Sequence, residues 1–353
     1  MATLGRFLMA DRIVLALIPV VLAVACSSPD EPTALPSSGG AGGAPVSTGG
    51  QPPTATGGGP TSGGAPGTGG TESVGEATEV RQEGDRVRIS VGDLEMVVAA
   101  DNGARIIEFS REGQNILLPS SVHWENFGST FWTSPQEDWE WPPPHDIDRA
   151  SYEIVLEEDS VLLRGPQAES LGVRAEKRFE PLENDRAIRV TYGLVNVSGE
   201  AVTYAPWEVT RVRAGGLTFF RPGTLVLNTS DLAVTSLAGH TWYSSSGSSE
   251  FDGKYHADGQ GGWIAHADAG LLLVKSFSDL PTSAFAPDHA EIEIFANADG
   301  TYVEIEQQGA YQALQPGSRL DWAVEWRLEE LPNGTPLVAG STELIQAAAD
   351  AQR

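Results

Sequence analysis

Trp132, Trp139 and Trp141 fall within ten positions of one another in the stretch 129–149, STFWTSPQEDWEWPPPHDIDR. Exposed apolar surface is costly, so ordinary loops do not concentrate indole rings. Flat aromatic faces beside polar groups suit a sugar ring, whose C–H face stacks and whose hydroxyls hydrogen-bond. Glu137, Asp138, Glu140, His145, Asp146 and Asp148 are interleaved, and Pro142 to Pro144 follow the last indole. The proline run favours polyproline II, so the stretch is expected to be a stiff loop that presents its rings at low entropic cost. The competing reading is a long loop whose tryptophans plug the edge of a β core.

A second stretch reads Trp207-Glu208-Val209-Thr210-Arg211. On a strand, Trp207 and Arg211 face one way and Glu208 the other. The first pair would make a stacking plate beside a hydrogen-bond donor; Glu208 would be a candidate base. Both cannot face a ligand without a bulge. Glu304 and Glu306, two apart, would share a strand face with Tyr302. Such carboxylates can flank a bond, or be an acidic face turned to solvent. His266 lies in a strand-like segment and is the candidate acid–base partner of Glu208, Glu304 or Glu306. Lys254 sits with Trp242, Tyr243 and Tyr255 in a polar stretch between His240 and His256, a plausible ligand wall.

Other chemistries are excluded. None of the six histidines shows H-x-x-x-H spacing, and the acidic residues near the indoles lack the spacing of a calcium loop. No metal site is expected. There is no G-x-S-x-G, phosphate loop or dinucleotide fingerprint, so no cofactor is expected either.

The elements that must position these residues read as strands. Apolar alternation recurs at 86–91, 94–100, 104–110, 114–118, 151–157, 160–164, 172–179, 186–196 and 201–212. It continues at 217–220, 224–227, 262–267, 271–276, 290–296, 301–307 and 319–328, with Gly and Pro between. Helical periodicity is confined to 342–351, which Ser341 can cap. The expected class is all-β, a large antiparallel β-sandwich with a short C-terminal helix.

The chain has 353 residues, with 48 Asp and Glu against 22 Lys and Arg, a formal net charge of −26. That balance opposes nucleic acid as a partner and favours a neutral sugar or glycan. Arg6 and Arg12 precede an apolar run, 13–24, too short for a comfortable membrane span. The single cysteine, Cys26, follows Leu22-Ala23-Val24-Ala25 and resembles a bacterial lipoprotein site, with Ala23 where Leu is usual. The resemblance implies a signal peptide over 1–25 and acylation of Cys26. With Ser27 next, it implies an outer-membrane anchor in the cell envelope. Residues 26–78 are Gly, Ser, Thr, Pro and Ala with few large apolar side chains, a flexible tether in composition. The folded domain is expected over 79–353.

Three stretches together resemble the galactose-mutarotase-like β-supersandwich superfamily. They are Asn102-Gly103-Ala104-Arg105-Ile106; Val195-Asn196-Val197-Ser198 with Ala205-Pro206-Trp207-Glu208; and Tyr302-Val303-Glu304-Ile305-Glu306 with Leu314-Gln315-Pro316-Gly317, Trp322 and Trp326. The aromatic loop resembles a mutarotase-like bacterial family of unknown function. The resemblance implies a sugar site on one sheet and adds Arg105 to the substrate-binding candidates. It also implies a histidine acid and a glutamate base, yet 205–211 contains no histidine. The principal expectation is therefore an envelope-anchored carbohydrate-binding lipoprotein. A sugar-modifying epimerase or lyase and a non-catalytic structural envelope protein are the alternatives.

Overall fold

The computed structural model describes residues 77–353, apart from 185, 228–231, 246 and 248–251. Cys26, the signal segment and nearly all of the tether lie outside these residues.

Alternating apolar residues do what the pattern demands. Ile188, Val190 and Tyr192 stand opposite Trp326, Val324 and Trp322 on the neighbouring strand, and all six side chains are buried. Such cross-strand pairs set register, because a slip of one residue would turn the whole row to the other face. Two antiparallel sheets result among the described residues, one of twelve strands and one of ten. In the larger, sheet A, the central order is Arg105–Arg111, Ser129–Ser134, Val202–Arg213, Tyr302–Gln308, Ile292–Ala296 and Gly253–Gly259. In sheet B the centre is Trp263–Asp268, Leu271–Phe277, Arg319–Glu330, Ala187–Asn196 and Val173–Leu182. The inner faces share one core that includes Phe109, Phe131, Tyr192, Ile292, Ile305 and Trp326. The all-β sandwich is the observed class.

The helix Thr342–Ala351 is capped as expected, the Leu344 amide donating to Ser341 Oγ at 3.3 Å. It lays Leu344 and Ala348 on the outer face of sheet B, against Leu217, Phe219 and Trp263.

Three differences from the sequence reading have physical causes. Ser129–Ser134, assigned above to the aromatic loop, is a fully buried strand inside sheet A. Both its faces are covered, so its mixed polar and aromatic residues show no alternation between core and solvent. Gly253–Gly259, read as part of a polar stretch, is also a strand, because its Lys254 and His256 face other buried polar groups. The proline-rich loop is not one extended rod. It forms a 3-10 turn at Gln136–Asp138 and a single helical turn at His145–Asp148.

Candidate functional site

The outer face of sheet A carries the side chains that alternate away from the core. Trp132 and Trp207 are register partners on adjacent strands, their rings 5.3 Å apart and nearly perpendicular. Arg211 stands opposite Glu304, Glu304 opposite Phe295, and Phe295 opposite Lys254. One row over, Glu306 stands opposite Glu293, and Glu293 opposite His256. The loop after Ser134 folds over this face and sets Trp141 edge-on to Trp132 at 5.9 Å. A cavity of about 400 Å³ remains, lined by Trp132, Trp141, Trp207, Lys254, Glu304 and Tyr302, together with Asn126, Gln136, Asp252 and Phe295. That is within the usual size of small-molecule sites, about 300–1,000 Å³.

The loop is braced from beneath. Asp148 accepts from Trp132 Nε1 at 2.8 Å and pairs with Arg105 at 3.3 Å. Gly103 permits this closeness: its φ is +64°, and a Cβ there would lie 2.1 Å from the Asp148 carbonyl oxygen. Trp139 donates to the Thr133 carbonyl at 2.9 Å and packs beside Trp132 and Trp207.

Behind the pocket lies a buried charge cluster. Lys254 Nζ is 2.5 Å from Glu293 Oε2 and 3.1 Å from Glu306 Oε2, and stands 4.7 Å from the centre of the Trp207 ring. Trp207 Nε1 donates to Glu306 Oε2 at 2.8 Å. Glu293 Oε1 lies 3.0 Å from His289 Nδ1 and accepts from Gln308 Nε2 at 2.9 Å. Two carboxylates share one ammonium, and low dielectric cannot support both charges equally. Burial, with Glu293 and Glu304 nearby, pushes Glu306 up to about 8 despite Lys254. Against the burial that would raise it, Lys254 and His289 hold Glu293 below the usual carboxylate range. Burial would likewise lower Lys254, but the two carboxylates outweigh it and raise that group above its ordinary value.

A pH dependence follows. Between about 4.5 and 8 the unfolded chain has lost the Glu306 proton and the folded protein keeps it, so Glu306 makes stability fall as pH rises. Its slope is at most ~1.4 kcal/mol per pH unit. Glu293 acts oppositely, and below that window, because its folded value is depressed. Glu306→Gln should flatten the decline of urea-unfolding stability between pH 5 and 8. An unchanged profile would show that Glu306 ionises normally.

The structure thus separates the sequence candidates into three groups. Trp132, Trp141, Trp207, Lys254 and Glu304 line the pocket. Arg105, Trp139, Arg211 and Glu306 support it from behind; Arg211 donates to Glu304 Oε1 at 2.8 Å and to Thr130 Oγ1 at 2.9 Å, with its guanidinium 5.2 Å from the Trp132 ring centre.

Glu208 and His266 are elsewhere. The Val202–Arg213 strand turns Glu208 inward, where it pairs with Lys275 of sheet B and accepts from Thr210 Oγ1 at 2.8 Å. His266 is buried with Nδ1 2.9 Å from Thr218 Oγ1, and burial pushes its imidazole down to about 3. Neither lines the pocket. Asn126, Gln136, Asp252, Phe295, His289 and Glu293 were not singled out by sequence. Phe295 and Glu293 had a signal in strand alternation beside Glu304 and Glu306; Asn126, Gln136 and Asp252 reach the pocket from loops and had none.

Fold and site together define an all-β, two-sheet protein with an aromatic pocket on the outer face of one sheet. Residues 113–329, more than half the chain, match the family described as "Domain of unknown function (DUF4380)", and the chain belongs to that family. No protein of curated function matches it. Among solved structures it is similar to a TPR-domain containing protein from Parabacteroides distasonis, at 12% identity and TM-score 0.54 over 72% of this chain and 49% of that one. It is also similar to a galactose mutarotase-like protein from Clostridium acetobutylicum, at 10% identity and TM-score 0.47 over 72% and 99% of the two chains. A putative aldose 1-epimerase from Escherichia coli K12 is similar at 13% identity and TM-score 0.47 over 72% and 100%. At 12% identity the first of these likenesses concerns the fold alone.

Proposed function

We propose that this domain binds a neutral carbohydrate in the pocket of Trp132, Trp141 and Trp207. One observation carries the reading: three indoles converge on a cavity of about 400 Å³ whose remaining wall, Phe295 apart, is polar. Indole faces stack on the C–H face of a pyranose, while Glu304, Lys254, Asn126 and Tyr302 offer acceptors and donors to hydroxyls. The cations there are already paired, Arg211 with Glu304 and Lys254 with Glu293, and Asp252 adds a carboxylate, so the wall disfavours an anionic ligand. Titration of tryptophan fluorescence with a panel of mono- and oligosaccharides tests this. Trp141 is 60% exposed, so Trp141→Ala should leave the fold intact and weaken binding about tenfold. No response to any sugar of the panel sinks the reading.

An epimerase- or lyase-like activity is the second reading, favoured by the proton held on Glu306 behind a sugar-sized pocket. Glu306 does not line the cavity, so it would act through Lys254, which does. Polarimetry with the sugars that bind decides it: no anomer interconversion and no chain cleavage leave binding alone.

We also propose that acylated Cys26 and the segment to residue 78 tether the domain to the cell envelope, which rests on the sequence of that segment. Radiolabelled palmitate incorporated into the wild type and not into Cys26→Ala is the expected result.

A further inference from the structure

The two most exposed large apolar side chains among the described residues are Trp124, at 72%, and Trp141, at 60%. Trp141 is a wall of the pocket. Trp124 is not, but His123 and Asn126, which bracket it in the chain, are held to Tyr302 of the pocket wall. His123 meets the Tyr302 ring edge-on at 5.3 Å, and Asn126 Nδ2 donates to the Tyr302 hydroxyl at 2.8 Å. Tyr302 and Asn126 both line the cavity. Trp124 is therefore displayed at most two residues, about 7 Å of chain, from a residue of the pocket wall.

The segment that displays it is braced. The buried Arg105 guanidinium donates to the Glu125 carbonyl at 2.7 Å and to the Phe127 carbonyl at 3.1 Å, and lies 4.7 Å from the Phe127 ring centre. The Asn126 amide donates to His123 Nδ1 at 2.9 Å. A braced segment that turns an indole to water forgoes the burial available to a floppy one. That cost is offset when the ring meets a ligand.

We infer that the ligand is a chain of sugar units, one seated in the pocket and a neighbouring unit stacked on Trp124. This rests on the carbohydrate reading above and narrows it from a neutral carbohydrate to an uncharged oligo- or polysaccharide. A monosaccharide seated in the cavity would leave Trp124 idle. A protruding chain emerging past Tyr302 meets the indole next.

Calorimetric titration of the full-length protein with glucose, xylose, mannose, galactose and N-acetylglucosamine, and with their β-1,4- and β-1,3-linked oligomers of two to six units, tests the inference. In the wild type the affinity for the best-bound series should rise about fivefold to tenfold between one unit and three, one aromatic contact's worth. Trp124→Ala should reduce that rise below twofold and leave monosaccharide affinity and the thermal midpoint unchanged. Affinity independent of chain length in the wild type, or a rise that survives in Trp124→Ala, overturns the inference while the pocket reading stands. If no sugar of any length binds, the pocket reading falls and this one with it.

Discussion

Lys254→Met is expected to cost about 3 kcal/mol at neutral pH, the lower end of the range for breaking a buried charge pair, and to abolish the sugar response. The lower end applies because the Lys254 side chain is 26% exposed, so water reaches part of the vacated space. Glu293 and Glu306 are fully buried, and the Glu293 carboxylate would be left without its ammonium beside a protonated Glu306. His289 and His256 face Glu293, at 3.0 and 3.8 Å, and offset part of the loss where they hold a proton. Both carboxyl pKa values should then stand above that of the unfolded chain, about 4.3. Above that pH the unfolded state has released protons that the folded state keeps, so the deficit grows as pH rises and shrinks in acid. Urea unfolding of wild type and variant from pH 4 to 8 measures it. A deficit below 1 kcal/mol, the same at every pH, would mean that the cluster is not a charge-sharing unit. Glu306→Gln in the Lys254→Met background should recover part of the loss, because an amide stays neutral without taking up a proton on folding.

The second large effect concerns Glu208, which sits in the core between the sheets. Its partner Lys275 is fully buried, 2.5 Å from Thr210 Oγ1 and 4.0 Å from the centre of the Trp326 ring. Burial lowers Lys275 to about 8 even with Glu208 beside it. Glu208→Gln removes the counter-charge and should destabilise the domain by about 3–5 kcal/mol, as should Lys275→Met. Replacing both, Glu208→Leu with Lys275→Met, should restore much of the loss, since two apolar groups leave no charge stranded. Denaturant unfolding of wild type, Glu208→Leu, Lys275→Met and the double variant closes a double-mutant cycle. Sugar affinity of folded Glu208→Gln should equal that of the wild type. A variant of native stability that no longer binds sugar would return Glu208 to the pocket.

Glu208 shows where sequence reading ends. By strand parity Trp207 and Arg211 share one face and Glu208 takes the other, and that much is legible because a strand's period is two. Which face meets the core is not. It depends on Lys275, 67 residues away in the other sheet, whose ammonium gives Glu208 its partner. An outward Glu208 with a buried Trp207 would fit the local sequence equally well. His266 shows the same limit: its segment was legible as a strand, but its burial against Thr218 is a matter of packing.

Strands built from apolar residues were read within a residue or two, as at Ala187–Asn196, Leu217–Phe220 and Leu271–Phe277. Their residue types write the strand locally, whichever faces are covered. Ser129–Ser134 and Gly253–Gly259 were not, because polar residues take buried positions in both.

The tryptophans of the 129–149 stretch therefore had the right chemistry and an incomplete place. Their residue types alone determined that this stretch would either plug a core or bind a flat ligand. Tertiary structure divided them between the two. Trp139 became support, because its indole found the Thr133 carbonyl; Trp132 and Trp141 became wall, because Trp207, Glu304 and Lys254 from distant strands leave a cavity between them. Composition and periodicity are short-range properties and could specify the sandwich. The pocket is made by contacts across more than a hundred residues of chain, and only the folded sheet brings them together.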